Sequence, residues 1–115
     1  MGIWYHGSPH KIDFLITGST ITQDINLAKV FSHKPTIVST EDDGTIKHNG
    51  LLRGYLYIID EDVQEDDVIE HPRTTMQHGK EWLITRQLKL KQVETVELNM
   101  EEFLSNEDIR RLKER

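Results

Sequence analysis

Segments that favour β-strands follow one another along this chain, with only short helical stretches between them. The strongest such segment is GYLYIID at 54–60, which combines aromatic with β-branched residues. Shorter strand candidates, bounded by glycine, proline or polar residues, lie at 3–5, 12–16, 36–39, 81–85 and 93–98. A doubly wound parallel sheet requires regular long helices between its strands, and the sequence has no such spacing. The pattern predicts a single α+β domain over residues 1–115, with a mostly antiparallel, split β-sheet and short helices.

Two helices are predicted from their capping residues. Asp24 suits the N-cap position and apolar residues follow it at roughly helical spacing, so a short helix is expected at 24–32. Ser105 and Asp108 resemble a capping box that opens a final helix at 106–114. The polar stretches between the predicted elements, 40–50 and 71–80, are expected to be loops.

Composition narrows the function classes. The net charge of −6 argues against a protein that binds the phosphate backbone of a nucleic acid, because such proteins normally carry a basic patch. The absence of cysteine excludes disulfides, thiol catalysis and thiolate metal sites. The N-terminus lacks the charged and apolar regions of a secretory signal, and the longest apolar run, 56–59, is too short to span a membrane. We therefore expect a cytoplasmic protein with no membrane partner.

Two short motifs have residues that suit a ligand site. The motif YHGS at 5–8 places a histidine at the end of an apolar strand, where its ring can bond a ligand hydroxyl and the next glycine lets a ligand amide approach the backbone. The motif KEWLIT at 80–85 places a carboxylate at the start of an apolar strand, directly after a loop. Each motif alone is more often structural: a histidine at a strand end, or a solvated glutamate at a strand edge.

Taken together and in order, the motifs resemble a known family. YHGS at 5–8, TITQDINLAKVFS at 20–32 and KEWLITRQLKLKQVE at 80–94 resemble the ADP-ribosyltransferase fold family, in its diphtheria-toxin and poly-ADP-ribose-polymerase branch. The chain is also similar to the rifamycin-modifying ADP-ribosyltransferases. The resemblance covers roughly residues 3–97. It implies an enzyme that binds NAD as co-substrate, releases nicotinamide and transfers ADP-ribose to a protein, small-molecule or nucleic-acid acceptor that the sequence does not identify.

The resemblance also implies a role for each matching residue. Glu81 would hydrogen-bond the 2′-hydroxyl of the nicotinamide ribose and stabilise the positive charge that develops as nicotinamide leaves. His6 would bind a hydroxyl of the adenosine ribose and set the extended conformation of NAD. The Gly7 backbone would pair with the nicotinamide carboxamide, Ser8 would support the ribose, and Phe31 would stack on the nicotinamide ring. No metal is required.

One position departs from the family pattern. Thr20 stands eleven residues before Phe31, where the family has a tyrosine that forms the second wall of the nicotinamide stack. Thr20 would offer only a hydroxyl, and Tyr57 or Trp82 are candidates to fill the gap. Two alternatives therefore stay open: a degenerate module that acts by binding a partner, and an NAD glycohydrolase that uses water as acceptor. Gly79 stands where arginine-modifying relatives carry Gln or Glu, which makes an arginine acceptor less favoured.

The resemblance leads to a geometric expectation. His6 and Glu81 should lie in one cleft, on adjacent central strands, with Phe31 on its wall. The loop at 71–80 should border the acceptor side of that cleft, because it leads directly into Glu81.

Overall fold

The computed structural model describes residues 2–72 and 79–113. Within them, nine strands form three antiparallel sheets, accompanied by two short α-helices. The strands are β1 (Tyr5–Ser8), β2 (Phe14–Leu15), β3 (Thr20–Ile21), β4 (Val38–Thr40), β5 (Ile46–His48), β6 (Gly54–Ile59), β7 (Val68–Glu70), β8 (Trp82–Ile84) and β9 (Leu88–Val96). The helices are α1 (Ile25–Phe31) and α2 (Asn106–Lys113), and 3₁₀ turns lie at Glu65–Asp67 and Met100–Glu102. The predicted α+β class with a split sheet is confirmed.

The largest sheet has the strand order β1-β6-β9-β2. Its central strand β6 is the segment with the strongest β-propensity in the sequence, and it pairs with β1 on one side and β9 on the other. This pairing places His6 opposite Tyr57. The Tyr57 side chain is buried, and its hydroxyl donates to the His10 carbonyl at 2.8 Å and accepts from the Ile12 N–H at 3.0 Å. Through these two hydrogen bonds, Tyr57 fixes the backbone of the segment that follows β1.

The second sheet has the order β3-β8-β7 and shares a hydrophobic core with the first. Residues of both sheets, or next to them, form this core: Trp4, Leu15, Ile21, Val63, Val68, Ile84 and Leu88. Trp82 packs edge-on against Trp4, with ring centroids 5.8 Å apart. Each fully buried large side chain of this kind contributes about 2 kcal/mol. The core therefore holds the two sheets together.

Helix α1 packs directly on β1, and a glycine allows the close approach. Asp24 caps the helix as predicted, since its Oδ1 accepts from the N–H groups of Asn26 and Leu27 at 3.0 and 3.2 Å. A Cβ atom on Gly7 would lie 1.8 Å from the Ala28 carbonyl oxygen, which is sterically impossible without backbone movement. The helix thus covers β1 at the residue that follows His6.

Several predicted elements are confirmed and others differ from the structure. The helix predicted at 24–32, the final helix over its described residues 106–113, the strand at 54–60 and the 105–108 capping box are confirmed, the last by reciprocal hydrogen bonds of 3.0 and 3.3 Å. The prediction that 40–50 is entirely loop is wrong, because β5 pairs with β4 in a hairpin that turns at Gly44. Strands β3 and β7 were not predicted, and β9 begins five residues before the predicted start at 93. Of the loop predicted at 71–80, residues 73–78 lie outside the described residues.

Neither described helix has the length and apolar character needed to cross a membrane.

Candidate functional site

A cavity of about 380 Å³ opens where β1, β3, the end of α1 and the start of β8 meet. Its size is within the range of small-molecule sites in proteins. Five of the six residues predicted for the site line it: His6, Gly7, Thr20, Phe31 and Glu81. They come from four different parts of the chain, so only the tertiary fold brings them together.

The His6 ring is fixed by one hydrogen bond. Its Nδ1 lies 2.7 Å from the carbonyl oxygen of Thr20, and because a carbonyl only accepts, Nδ1 must donate. Burial lowers the pKa of His6, although the hydrogen bond to Thr20 acts in the opposite direction. The ring is therefore neutral at physiological pH with its lone pair on Nε2. A hydroxyl group that enters the cavity can donate to this nitrogen.

Glu81 supplies a carboxylate to the same cavity from the residue directly before β8. Its side chain is only 13% exposed, and its Oε2 lies 4.0 Å from Nε2 of His71. The His71 N–H also donates to the Glu81 carbonyl at 3.0 Å, which ties the two backbones together. The neighbouring Lys80 reaches away to Asp24, with Nζ 3.1 Å from Oδ2. Glu81 thus lies at the cavity, whereas the ammonium group of the neighbouring Lys80 pairs with Asp24, the N-cap of α1.

Phe31, the last residue of α1, gives the cavity an aromatic wall. Neither Tyr57 nor Trp82 takes the place of the missing tyrosine, since neither lines the cavity. Tyr57 lies behind His6 with its hydroxyl already bonded, and Trp82 packs on Trp4 in the core. The aromatic residue that does line the cavity besides Phe31 is Tyr5.

Two residues of the YHGS motif have structural explanations. The Ser8 side chain is buried and does not line the cavity; its hydroxyl accepts from the His10 N–H at 3.1 Å and stabilises the turn after β1. Gly7 does line the cavity, but the contact with Ala28 is sufficient to require glycine. The identity of these two residues therefore reflects the packing of β1, whatever the cavity binds.

The expectation that His6 and Glu81 lie on adjacent central strands is wrong. His6 is on β1, an edge strand of the first sheet, and Glu81 precedes β8, the central strand of the second. The two sheets are joined beside the cavity by a pair of backbone hydrogen bonds between Tyr5 and Thr22, at 2.7 and 3.0 Å. This bridge brings His6 and Glu81 to one cavity although they belong to different sheets.

Seven residues that line the cavity were not predicted as site residues: Tyr5, Ser19, Ile21, Thr22, Ala28, Lys34 and Pro35. Tyr5 and Ser19 adjoin the predicted site residues His6 and Thr20, so the motifs carried a signal for them. Lys34 and Pro35 follow the end of α1, and their contribution depends on the direction in which the chain leaves that helix.

Among residues 2–72 and 79–113, no three histidine, aspartate or glutamate side chains are grouped so that they would hold a metal ion. Comparisons with protein-family models, with curated proteins and with solved structures found no match to this chain.

Proposed function

We propose that this domain is an NAD-dependent ADP-ribosyltransferase that transfers ADP-ribose from NAD to an acceptor and releases nicotinamide. The observation that carries the proposal is that His6, Phe31 and Glu81 line one cavity of about 380 Å³. The three residues belong to the three separate motifs at 5–8, 20–32 and 80–94. A chance set of residues so distant in sequence would not be expected to meet at one site.

The chemistry of the three groups suits the reaction. Nε2 of His6 is an acceptor for a ribose hydroxyl, and the ring of Phe31 offers a face on which the nicotinamide ring stacks. When the bond between nicotinamide and the ribose breaks, positive charge develops on the ribose. The Glu81 carboxylate stabilises that charge and accepts a hydrogen bond from the 2′-hydroxyl, an effect that is larger in the transition state than in the ground state. The acceptor then attacks the anomeric carbon.

A second candidate function is a module that binds a partner without turnover. It is favoured by Thr20 in the tyrosine position and by the observation that neither Tyr57 nor Trp82 lines the cavity. An NAD glycohydrolase, with water as acceptor, is the third candidate and uses the same residues as the transferase.

The test begins with purified protein and NAD, with nicotinamide release measured by chromatography and no acceptor added. Release supports either the transferase or the glycohydrolase. Mass spectrometry of a cell lysate incubated with the protein and labelled NAD then separates these two, because only a transferase produces a labelled acceptor. Absence of both NAD binding and nicotinamide release would overturn the proposal and leave the binding module.

A further inference from the structure

Lys34 places a cationic side chain at the mouth of the cavity. It is exposed to solvent and lines the cavity, so it lies where the cavity meets the surface. Among the residues that the structure describes, it is the only lysine or arginine that lines the cavity. Neighbouring lysines are engaged elsewhere, since Lys29 pairs with Glu94 at 2.9 Å and Lys80 pairs with Asp24 at 3.1 Å. No ion pair links Lys34 to another described residue.

The backbone of Lys34 has an unusual conformation. With φ of 55°, it is the only residue other than glycine in the described chain that has a positive φ. Its N–H donates to the Phe31 carbonyl at 3.0 Å, two residues after the C-cap Ser32, and residues other than glycine adopt such a positive φ only at a steric cost. Pro35 adds a further restriction, because a proline disfavours helical conformations in the residue before it. A lysine at this position is unfavourable for folding, and such strain is typically retained where a side chain has a function.

The structure around Lys34 also fixes its position relative to the aromatic wall. A hydrogen bond at the end of the helix joins the backbones of Phe31 and Lys34, so these two residues lie close together at the cavity that both line. When a ligand stacks an aromatic ring on Phe31, the groups attached to that ring will lie near Lys34 or near Glu81. Negative charge on those groups would be repelled by Glu81 and attracted by Lys34.

We propose that Lys34 binds the diphosphate of the dinucleotide and so makes the site select NAD over the corresponding nucleoside. This inference rests on the proposed function. The chain has a net charge of −6, so a local cation favours the binding of an anionic ligand. A lysine ammonium group binds phosphate as a point charge with three donors.

The test compares ligands that do and do not carry a diphosphate. Binding of NAD, ADP-ribose and nicotinamide riboside is measured by ligand-observed NMR for the wild type and for Lys34→Gln. We expect Lys34→Gln to weaken the binding of NAD and ADP-ribose about tenfold, as for the loss of one charge-assisted hydrogen bond. The affinity for nicotinamide riboside should not change. The wild-type affinity for NAD should fall with added salt more steeply than that of the variant. Lys91→Gln removes an exposed lysine of β9 that does not line the cavity, and it should change none of these affinities.

A second variant separates charge from folding. Lys34→Gly removes the same charge but relieves the positive φ, so it should be at least as stable as the wild type while it binds NAD as weakly as Lys34→Gln. If NAD binds and both variants bind it as tightly as the wild type, the role of Lys34 is refuted and the proposed function stands. If both variants weaken the binding of nicotinamide riboside as much as that of NAD, Lys34 shapes the cavity and does not bind the diphosphate. If the wild type binds none of the three ligands, the proposed function fails and this inference fails with it.

Discussion

Nδ1 of His6 donates a 2.7 Å hydrogen bond to the carbonyl oxygen of Thr20. The bond joins the histidine of the first motif to the position at which the resembled family has a tyrosine. Because the Thr20 backbone makes it, the orientation of His6 does not depend on which side chain stands at position 20. The bond also leaves Nε2 as the acceptor in the neutral ring, which is the form that burial favours by lowering the pKa of His6.

Glu81→Gln should lower the rate of nicotinamide release by a factor on the order of 10² or more, because it removes a charge that acts mainly in the transition state. The affinity for NAD should hardly change, since glutamine keeps the shape and one acceptor oxygen. The measurement is an NAD titration together with nicotinamide release. Glu41→Gln, in the exposed β4–β5 hairpin, is the matched control and should behave as the wild type. Full activity of Glu81→Gln would show that the catalytic assignment is wrong.

His6→Ala should raise the concentration of NAD needed for half-maximal release, because His6 contacts the ligand in the ground state as well as in the transition state. The loss of one hydrogen bond from a neutral acceptor corresponds to about 1 kcal/mol, or roughly fivefold in affinity. His10→Ala, at an exposed residue outside the cavity, serves as the control. An unchanged NAD titration for His6→Ala would remove His6 from the binding site.

Gly7→Ala should destabilise the fold by about 3 kcal/mol or more, since the new Cβ would lie 1.8 Å from the Ala28 carbonyl oxygen and 2.7 Å from the Ser32 nitrogen. Both contacts are with backbone atoms, which cannot rotate away. Gly18→Ala is an informative comparison: that glycine has φ of 91° but nothing within 4 Å of a Cβ, so only the conformational cost of about 1 kcal/mol applies. Chemical denaturation measures both values. Equal losses for the two variants would mean that α1 does not pack on β1 as closely as described.

The stability of the domain should decrease as the pH falls below about 6.5, the usual pKa of histidine. The His48 side chain is fully buried, its ring stacks on that of His33 with centroids 5.3 Å apart, and its Nδ1 accepts from the Gly50 N–H at 3.0 Å. Burial and the neighbouring His33 lower the pKa of His48, although the Glu102 carboxylate, 3.7 Å from Nε2, acts in the opposite direction. Protonation would in addition place a hydrogen on Nδ1 and displace the Gly50 N–H.

The sign follows from proton binding in the two states. Below about pH 6.5 the unfolded chain binds a proton at His48 and the folded chain does not, so acid favours unfolding until the lower pKa of the folded state is reached. The stabilisation that comes from neutral, buried His48 is fully present above about pH 6.5. The measurement is the free energy of unfolding between pH 5 and 8 for the wild type and for His48→Phe. The variant should show a smaller pH dependence, and equal slopes for both proteins would contradict the assignment.

Elements whose signals are local could be predicted from the sequence. Asp24 caps α1 through the N–H groups two and three residues later, and Ser105 and Asp108 cap α2 through reciprocal hydrogen bonds between them. The aromatic and β-branched residues of β6 favour a strand whatever its neighbours are. Such interactions act within a few residues, so the sequence by itself determined these elements and the α+β class. It also determined which residues are candidates for the site.

Other features depend on contacts between distant residues, and only the tertiary structure decided them. The strand β5 exists because β4 lies beside it, and its own residues, Ile46–His48, carry no strong strand signal. His6 and Glu81 share a cavity because Tyr5 and Thr22 bridge two sheets, an arrangement that differs from the adjacent strands expected from the motifs. Lys34 lines the same cavity and has a positive φ, which no glycine or asparagine in that position announced. Strand pairing, sheet contacts and the direction of a chain after a helix are decided by long-range packing, which no local pattern of residues encodes.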